Sequence, residues 1–177
     1  MTSELYSILV GTAGLTVAAV ISAFLAVARP LAPRMPAMER RLLLVAVLSL
    51  LLQAGHFTEE LLTGFYVQFP ELLGLQPWSR TFFVSFNLFW ICVWGLSIVG
   101  VRVRLQVATF PIWFLGIGSV ANGVAHPVFA MAVGGYFPGL YTSPFVGVAG
   151  ILLLGRLAAI TRSQDWQPPP VEDPGMI

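Results

Sequence analysis

Five long apolar stretches, separated by short polar or proline-rich segments, account for most of the chain. Each has about 20 residues or more, which is the length that a transmembrane helix needs to cross a bilayer. The stretches cover residues 5–28, 42–64, 81–101, 105–133 and 141–160. The pattern predicts an all-α membrane protein, a bundle of five transmembrane helices that forms one domain over residues 1–162.

The segments between these stretches predict connections rather than further spans. Residues 29–41 contain three prolines and four arginines, which indicates a polar connection. Residues 65–79, with two prolines and a tryptophan, are typical of an interfacial loop, and residues 134–139 of a charge-free turn. Residues 163–177 contain three consecutive prolines and three acidic residues, and we expect a disordered tail there.

The arginines predict how the bundle is oriented in the membrane. Eight of the nine lie in segments at one end of the predicted bundle, and Arg80 alone lies at the other. The eight are Arg29, Arg34, Arg40, Arg41, Arg102, Arg104, Arg156 and Arg162. Because cytoplasmic loops are enriched in basic residues, this end is expected to face the cytoplasm. With five spans, the N-terminus then lies outside and the C-terminus lies in the cytoplasm of a multi-pass protein of the cell membrane.

The composition supports the membrane assignment and excludes several functions. Of the 177 residues, 57% are hydrophobic and 10% are charged, whereas soluble domains carry about 25% charged residues. The net charge of +1 and the lack of a basic patch or phosphate-binding loop give no basis for nucleic acid as a partner. No lysine is present, so the chain cannot form a retinal Schiff base. The single cysteine, Cys92, excludes an intramolecular disulfide and a Cys-rich metal site.

The second apolar stretch is unusual because it carries three ionisable residues, His56, Glu59 and Glu60. Each such residue costs about 2.5–3.5 kcal/mol at the centre of a membrane helix, and most of those that occur are paired or functional. On a helix, Glu59 lies about 60° to one side of His56 and Glu60 about 40° to the other. Gln53 falls near the same arc, so this face is expected to point to the bundle interior.

Two later stretches offer polar partners for this face. Asn122 and His126 are four residues apart and share one face of the fourth predicted helix, and Asn87 is the only amide in the third. Counted along the helices, His56 and Asn122 lie roughly 21 and 25 Å from the cytoplasmic end, and Asn87 lies about 10 Å from the outer end. These depths predict one site in the outer half of the membrane. The candidate catalytic residues are His56, Glu59, Glu60, Asn122 and His126.

The residues 56–60, His-Phe-Thr-Glu-Glu, resemble the motif of the HXXEE family of small integral membrane proteins. Asn122-x-x-x-His126 and Tyr136-x-Pro138-Gly139-x-x-Thr142 are similar to later elements of that family. The resemblance covers roughly residues 42–160 and implies a membrane-embedded site, but it names no reaction. For Tyr136 and Thr142 we expect ordinary turn and helix N-cap positions, with capping of the site as the alternative.

Three functions fit these residues, next to a purely structural role as hydrogen-bonding helix contacts. The first is a metal centre with His56, Glu59 or Glu60, and His126 as ligands, where zinc or iron is the expected ion. A di-iron site is disfavoured because it normally needs two Glu-x-x-His motifs and further glutamates, whereas the chain has only one such pair, in reversed order. The second is metal-free acid–base catalysis, as in an isomerase or cyclase, with aromatic residues that stabilise a cation.

The third function is a small transporter or binding protein for an ion or a small hydrophobic molecule, although no internal repeat is evident. For an enzyme, the substrate is expected to be lipid-like, because the cytoplasmic half of every span is almost wholly apolar. It would reach the site from the bilayer or from the outer face. The reaction, a hydrolase or oxygenase reaction with metal or an isomerisation without it, and the oligomeric state are left open by the sequence.

Overall fold

The computed structural model describes residues 3–161, and every element in this range is helical. The helices are α1 (Ser3–Gly11), α2 (Ala13–Ala28), α3 (Pro36–Thr63), α4 (Phe65–Leu72), α5 (Arg80–Arg102), α6 (Thr109–Val133) and α7 (Ser143–Ile160). A 3₁₀ turn, Gln106–Ala108, leads into α6. Extended pairing within residues 3–161 is limited to one isolated bridge between Leu31 and Thr161. Arg162 and the tail 163–177, predicted to be disordered, lie outside the described residues.

Four helices are long and apolar enough to cross a membrane: α3, α5, α6 with its 3₁₀ turn, and α7. The pair α1 and α2 also qualifies if the two helices are taken together as one broken span, which brings the number to five. The prediction of an all-helical chain with several helices that could cross a membrane is confirmed, and the location in the cell membrane stays a prediction. The orientation of the termini stays a prediction.

The first predicted span is not one continuous helix, because α1 and α2 meet at a bend of 47°. The contacts of α1 explain the bend. A Cβ on Gly11 would lie 2.4 Å from the ring of Trp78, so the helix rests directly on that indole. Ser7 Oγ donates to the Gln76 carbonyl at 2.6 Å and accepts from Trp78 Nε1 at 3.1 Å. These contacts tilt α1 onto the segment before α5.

Two predicted connections also contain helix. Residues 65–79 were expected to be a loop, but α4 occupies the first half, because Gly64 (φ +83°) ends α3 with a turn and lets a new helix begin. Residues 29–41 were expected to be a polar connection, but α3 already begins at Pro36. Proline fits the first turn of a helix, where its missing N–H has no partner to lose. The other span boundaries differ from the prediction by four residues or fewer.

Helix α6 is the centre of the bundle and packs against α7, α2 and α5, while α3 packs against α7 and α5. The α6–α7 contact is close because Gly123 and Gly147 face each other; a Cβ on Gly123 would lie 2.7 Å from the Gly147 Cα. Small residues of this kind let membrane helices approach closely. Helices α2 and α5 both contact α6 but make little contact with each other, which leaves room between them.

The arginine-rich end of the bundle is held by specific polar contacts. Arg104 donates to the Glu39 carboxylate and to the Ala32 carbonyl. Arg29 donates to the carbonyls of Ala158 and Thr161 at 3.0 and 2.9 Å. Between this end and the candidate site lies the main apolar core, which includes Leu42, Ala46, Ile112, Leu115, Leu153 and Leu157.

Candidate functional site

Helices α3 and α6 bring His56, Glu60 and His126 together in a buried cluster. Glu60 Oε1 lies 3.5 Å from His56 Nε2 and 3.4 Å from His126 Nε2. The two imidazole rings meet edge to face, with centroids 4.6 Å apart. One ligand atom from each of the three residues falls within 4.8 Å of the others. The predicted proximity of the two histidines is therefore observed, and Glu60 is the carboxylate that joins them.

The hydrogen bonds of His56 determine which of its nitrogens carries the proton. His56 Nδ1 lies 2.7 Å from Thr142 Oγ1, and that hydroxyl donates to Glu59 Oε2 at 2.6 Å. Because a hydroxyl has one hydrogen, Thr142 Oγ1 must accept from His56 Nδ1–H. The neutral imidazole of His56 then presents the lone pair of Nε2, which has no hydrogen-bond partner in the described part of the chain.

His126 is oriented in the same way by the backbone. Its Nδ1 lies 2.6 Å from the Pro138 carbonyl oxygen, which can only accept, so Nδ1 donates. The next residue, Gly139, has φ +86° and leaves no space for a side chain. A Cβ there would lie 2.5 Å from His126 Cε1 and 2.8 Å from His56 Cε1. The turn therefore needs glycine at this position in order to touch both rings.

Two imidazole lone pairs and one carboxylate oxygen consequently converge on the same point. These three electron-rich atoms repel one another when nothing lies between them. The arrangement therefore requires a proton or a cation between the three atoms. Ligand atoms of a tetrahedral zinc ion with bonds of about 2.0–2.1 Å are about 3.4 Å apart. The observed 3.4 and 3.5 Å between Glu60 Oε1 and the two Nε2 atoms match that separation. The donor set, two His and one carboxylate, also suits non-haem iron.

Glu59, a predicted metal ligand, points away from this cluster. Its carboxylate accepts from the Tyr136 hydroxyl at 2.7 Å, from the Thr142 hydroxyl, and from the backbone N–H groups of Tyr141 and Thr142 at 3.1 and 2.9 Å. Helical geometry turns the two carboxylates to opposite sides of His56, and the positions of α6 and α7 then decide which of them meets His126. Glu59 binds the turn between α6 and α7 instead of joining the three-residue cluster.

The same turn changes the interpretation of Tyr136 and Thr142. Thr142 stands at the N-cap position of α7, as expected, but its side chain makes no capping hydrogen bond and contacts Glu59 and His56 instead. Tyr136 also contacts the Glu59 carboxylate. Burial, together with that hydrogen bond to Glu59, raises the pKa of Tyr136 above its usual value of 10.0. Both side chains therefore cap the site.

A cavity of about 270 Å³ lies beside the cluster, and Glu60 and His126 form part of its wall. His56 lies behind them and is fully buried. The wall is largely aromatic and includes Phe65, Phe69, Phe82, Phe86, Trp90 and Phe129. The amides of Asn122 and Asn87, both expected near the site, also line the cavity. Asn87 donates one hydrogen bond to the Phe83 carbonyl of its own helix.

Sequence reasoning about ionisable residues missed the backbone part of the site. The Pro138 carbonyl and Gly139 carry no polar side chain, and only the resemblance of residues 136–142 to a family element pointed to them. Comparison with protein-family models, curated proteins and solved structures found no match for this chain. Membership of the HXXEE family stays a prediction based on the motif residues.

Proposed function

We propose that the chain is a membrane-embedded enzyme that holds a divalent metal ion between His56, Glu60 and His126 and acts on a small lipid-like molecule in the adjacent cavity. The observation that carries the proposal is the convergence of two imidazole nitrogens, each with its other nitrogen donating to a fixed acceptor, on one carboxylate oxygen. Such outer hydrogen bonds are typical of metal-binding histidines. Zinc is favoured by the two separations between Glu60 Oε1 and the imidazole nitrogens, and iron is the alternative.

The residues around the proposed ion would have separate roles. When bound, the ion would supply Lewis-acid chemistry and an activated water. Thr142 and Glu59 hold His56 in place, and the Pro138 carbonyl holds His126. Glu60 and His126 reach the cavity wall, so the ion would be accessible to a substrate from that side. The half-buried Asn122 amide lines the same wall and would bind a polar group of the substrate. The reaction class would be a hydrolysis if the ion is zinc, and an oxygenation with dioxygen as the oxidant if it is iron.

Substrate is proposed to enter sideways from the bilayer. Residues Gly14, Leu15 and Ala18 of α2 form one side of the cavity, and Phe82 and Phe86 of α5 form the other. Because α2 and α5 make little contact with each other, the space between them is a path for an apolar molecule. On the arginine-rich side, the packed apolar core closes the bundle.

The membrane orientation is part of the proposal. Arg29 and Arg104 lie at the end of the bundle where α3 and the 3₁₀ turn begin, and Arg80 lies at the opposite end, where α5 begins. The distribution of basic residues favours the cytoplasm for the first end. The N-terminus would then be outside, the C-terminus in the cytoplasm, and the site in the outer half of the membrane.

One observation favours a second candidate function, metal-free acid–base catalysis. The Glu60 carboxyl lies between two imidazoles, and a proton on it would also relieve the repulsion between the converging lone pairs. A carboxylic acid next to aromatic side chains could protonate an alkene and stabilise the resulting cation, as an isomerase or cyclase does.

Elemental analysis of protein purified in mild detergent, without chelators, distinguishes the two functions. We expect about one zinc or iron per chain in the parent protein and in Glu71→Gln, an exposed control on α4. His126→Ala and Glu60→Gln should lose most of the metal, since each removes one of three protein ligands. A parent protein that stays metal-free after exposure to zinc and iron would exclude the metal centre and leave acid–base catalysis.

A further inference from the structure

The cavity has a second set of polar groups, well below the metal ligands. Gln53 precedes Glu60 by seven residues on α3, and Ser119 precedes His126 by seven residues on α6. Seven residues are almost two full helical turns, so each pair shares a face and is separated by about 10.5 Å. Trp94 stands in the same relation to Asn87 on α5, which runs in the opposite direction. Gln53, Ser119 and Trp94 all line the cavity; we name them the inner polar layer.

The polar atoms of the inner polar layer lack partners. Trp94 Nε1 and Ser119 Oγ are two of the four buried side-chain atoms without a hydrogen bond among residues 3–161. The side chain of Gln53 makes no hydrogen bond in that range either, although the residue is only 7% exposed. Buried polar groups are normally satisfied, and an unsatisfied one lowers the stability of the fold. Two such atoms beside the Gln53 amide, on residues that line one cavity, indicate a partner that enters the cavity.

We propose that the inner polar layer is a subsite for an oxygen function of the substrate. Trp94 Nε1–H is a donor only, whereas the Gln53 amide and the Ser119 hydroxyl can both donate and accept. A hydroxyl or carbonyl oxygen satisfies this combination, and a cation does not. No charged side chain belongs to the inner polar layer, so a carboxylate or phosphate would lie there without a counter-ion.

The substrate class follows from the two ends of the cavity taken together. This step rests on the proposed function, because it takes the Glu60–His126 end as the place where the substrate reacts. The substrate is a small, mainly hydrocarbon molecule whose hydroxyl or carbonyl group lies about 10.5 Å from the reacting group. The volume of about 270 Å³ is just below the range of about 300–1,000 Å³ for drug-sized ligands. It fits a single chain or a compact ring system, and a two-chain phospholipid is too large.

The test uses two probes, octane-1,8-diol and octan-1-ol, with protein in lipid nanodiscs. A chain of about eight carbons is long enough to span the two turns. Binding is followed by tryptophan fluorescence, since Trp90 and Trp94 line the cavity, after subtraction of empty nanodiscs. Each probe is compared between the parent protein and Gln53→Leu, so that its partition into lipid cancels. Gln76→Leu, an exposed glutamine outside the cavity, is the matched control.

We expect Gln53→Leu to weaken binding of the diol by roughly three- to tenfold, which corresponds to one neutral hydrogen bond. The affinity for octan-1-ol should decrease less than the affinity for the diol, and Gln76→Leu should bind both probes like the parent protein. Ser119→Ala, which removes only one oxygen, provides a second variant in case Gln53→Leu folds poorly. This variant should also bind the diol more weakly than the parent protein.

Metal content, measured on the same samples, separates this inference from the proposed function. A metal-loaded parent protein whose diol affinity is unchanged in Gln53→Leu and Ser119→Ala, or that does not bind the diol, would overturn the subsite and leave the metal centre intact. A metal-free parent protein that still loses diol affinity in Gln53→Leu would support the subsite and overturn the metal centre.

Discussion

Gly139→Ala is the substitution that tests most sharply how closely the turn after α6 is fitted to the site. A methyl group there would lie 2.5 Å from His126 Cε1, 2.6 Å from His126 Nδ1 and 2.8 Å from His56 Cε1. Real Cβ contacts are not this short, so the turn must move away from both rings. The Pro138 carbonyl, one residue earlier, would then lose its hydrogen bond from His126.

The expected magnitude has two parts, which a control separates. Alanine at a positive φ costs about 1–2 kcal/mol, and a steric overlap in a packed region costs about 1–3 kcal/mol more. Gly74 has φ +69°, and a methyl group added there would have no neighbouring atom within 4 Å, so Gly74→Ala carries only the first cost. Gly139→Ala should therefore lose about 2–5 kcal/mol of unfolding free energy, and Gly74→Ala about 1–2 kcal/mol.

Zinc affinity provides the second readout. The loss of an outer hydrogen bond to a metal-binding histidine typically lowers affinity about 10- to 100-fold. We expect this decrease for Gly139→Ala and parent-like affinity for Gly74→Ala, measured by competition with a fluorescent chelator. Denaturation in detergent gives the stabilities. If the two variants lost equal stability and both bound zinc like the parent protein, the close fit between the turn and the two imidazoles would be refuted.

Three further predictions concern the hydrogen bonds and the accessibility of the site. Glu59→Gln should lower zinc affinity about 10- to 100-fold, because an amide is a weaker acceptor for the four donors that contact Glu59. The control Glu71→Gln should leave zinc affinity unchanged. Equal affinities of the two variants in a chelator titration would refute a positioning role of Glu59. Thr142→Val should lower zinc affinity because His56 Nδ1–H loses its acceptor, and Thr142→Ser should restore it; a valine variant that matches serine contradicts the assigned tautomer. In a Cys92→Ser background, Asn122→Cys should not react with a charged, membrane-impermeant thiol reagent applied from the arginine-rich side of sealed vesicles, because the packed core closes that end. Labelling from that side would contradict the proposed access.

The spans and their ionisable face were accessible to sequence reasoning because both follow from regular geometry. A run of about 20 apolar residues is a direct consequence of bilayer thickness. The helical period places His56 between its two glutamates. Breaks in the helices were harder to predict. Helix α4 follows a glycine and contains Pro70, and the bend after Gly11 depends on contact with Trp78, which is distant in sequence.

The different contacts of Glu59 and Glu60 depend on how the helices pack rather than on the local sequence pattern. Both lie near the His56 face, and only the positions of α6 and α7 decide that Glu60 meets His126 while Glu59 meets Thr142. The role of the Pro138 carbonyl also could not be predicted from the polar side chains of the sequence. Backbone groups carry no residue-specific signal, so the orientation of His126 becomes visible only in three dimensions.

The most direct test of the metal centre is a crystal structure of the protein grown with zinc, with diffraction data collected on both sides of the zinc absorption edge. We expect one strong anomalous peak between His56 Nε2, Glu60 Oε1 and His126 Nε2, about 2.0–2.2 Å from each atom, with a further coordination position open to the cavity. Zinc at that peak in the parent protein but not in His126→Ala would establish the site. A parent structure with the three side chains in place and no anomalous peak between them would contradict the proposed metal centre.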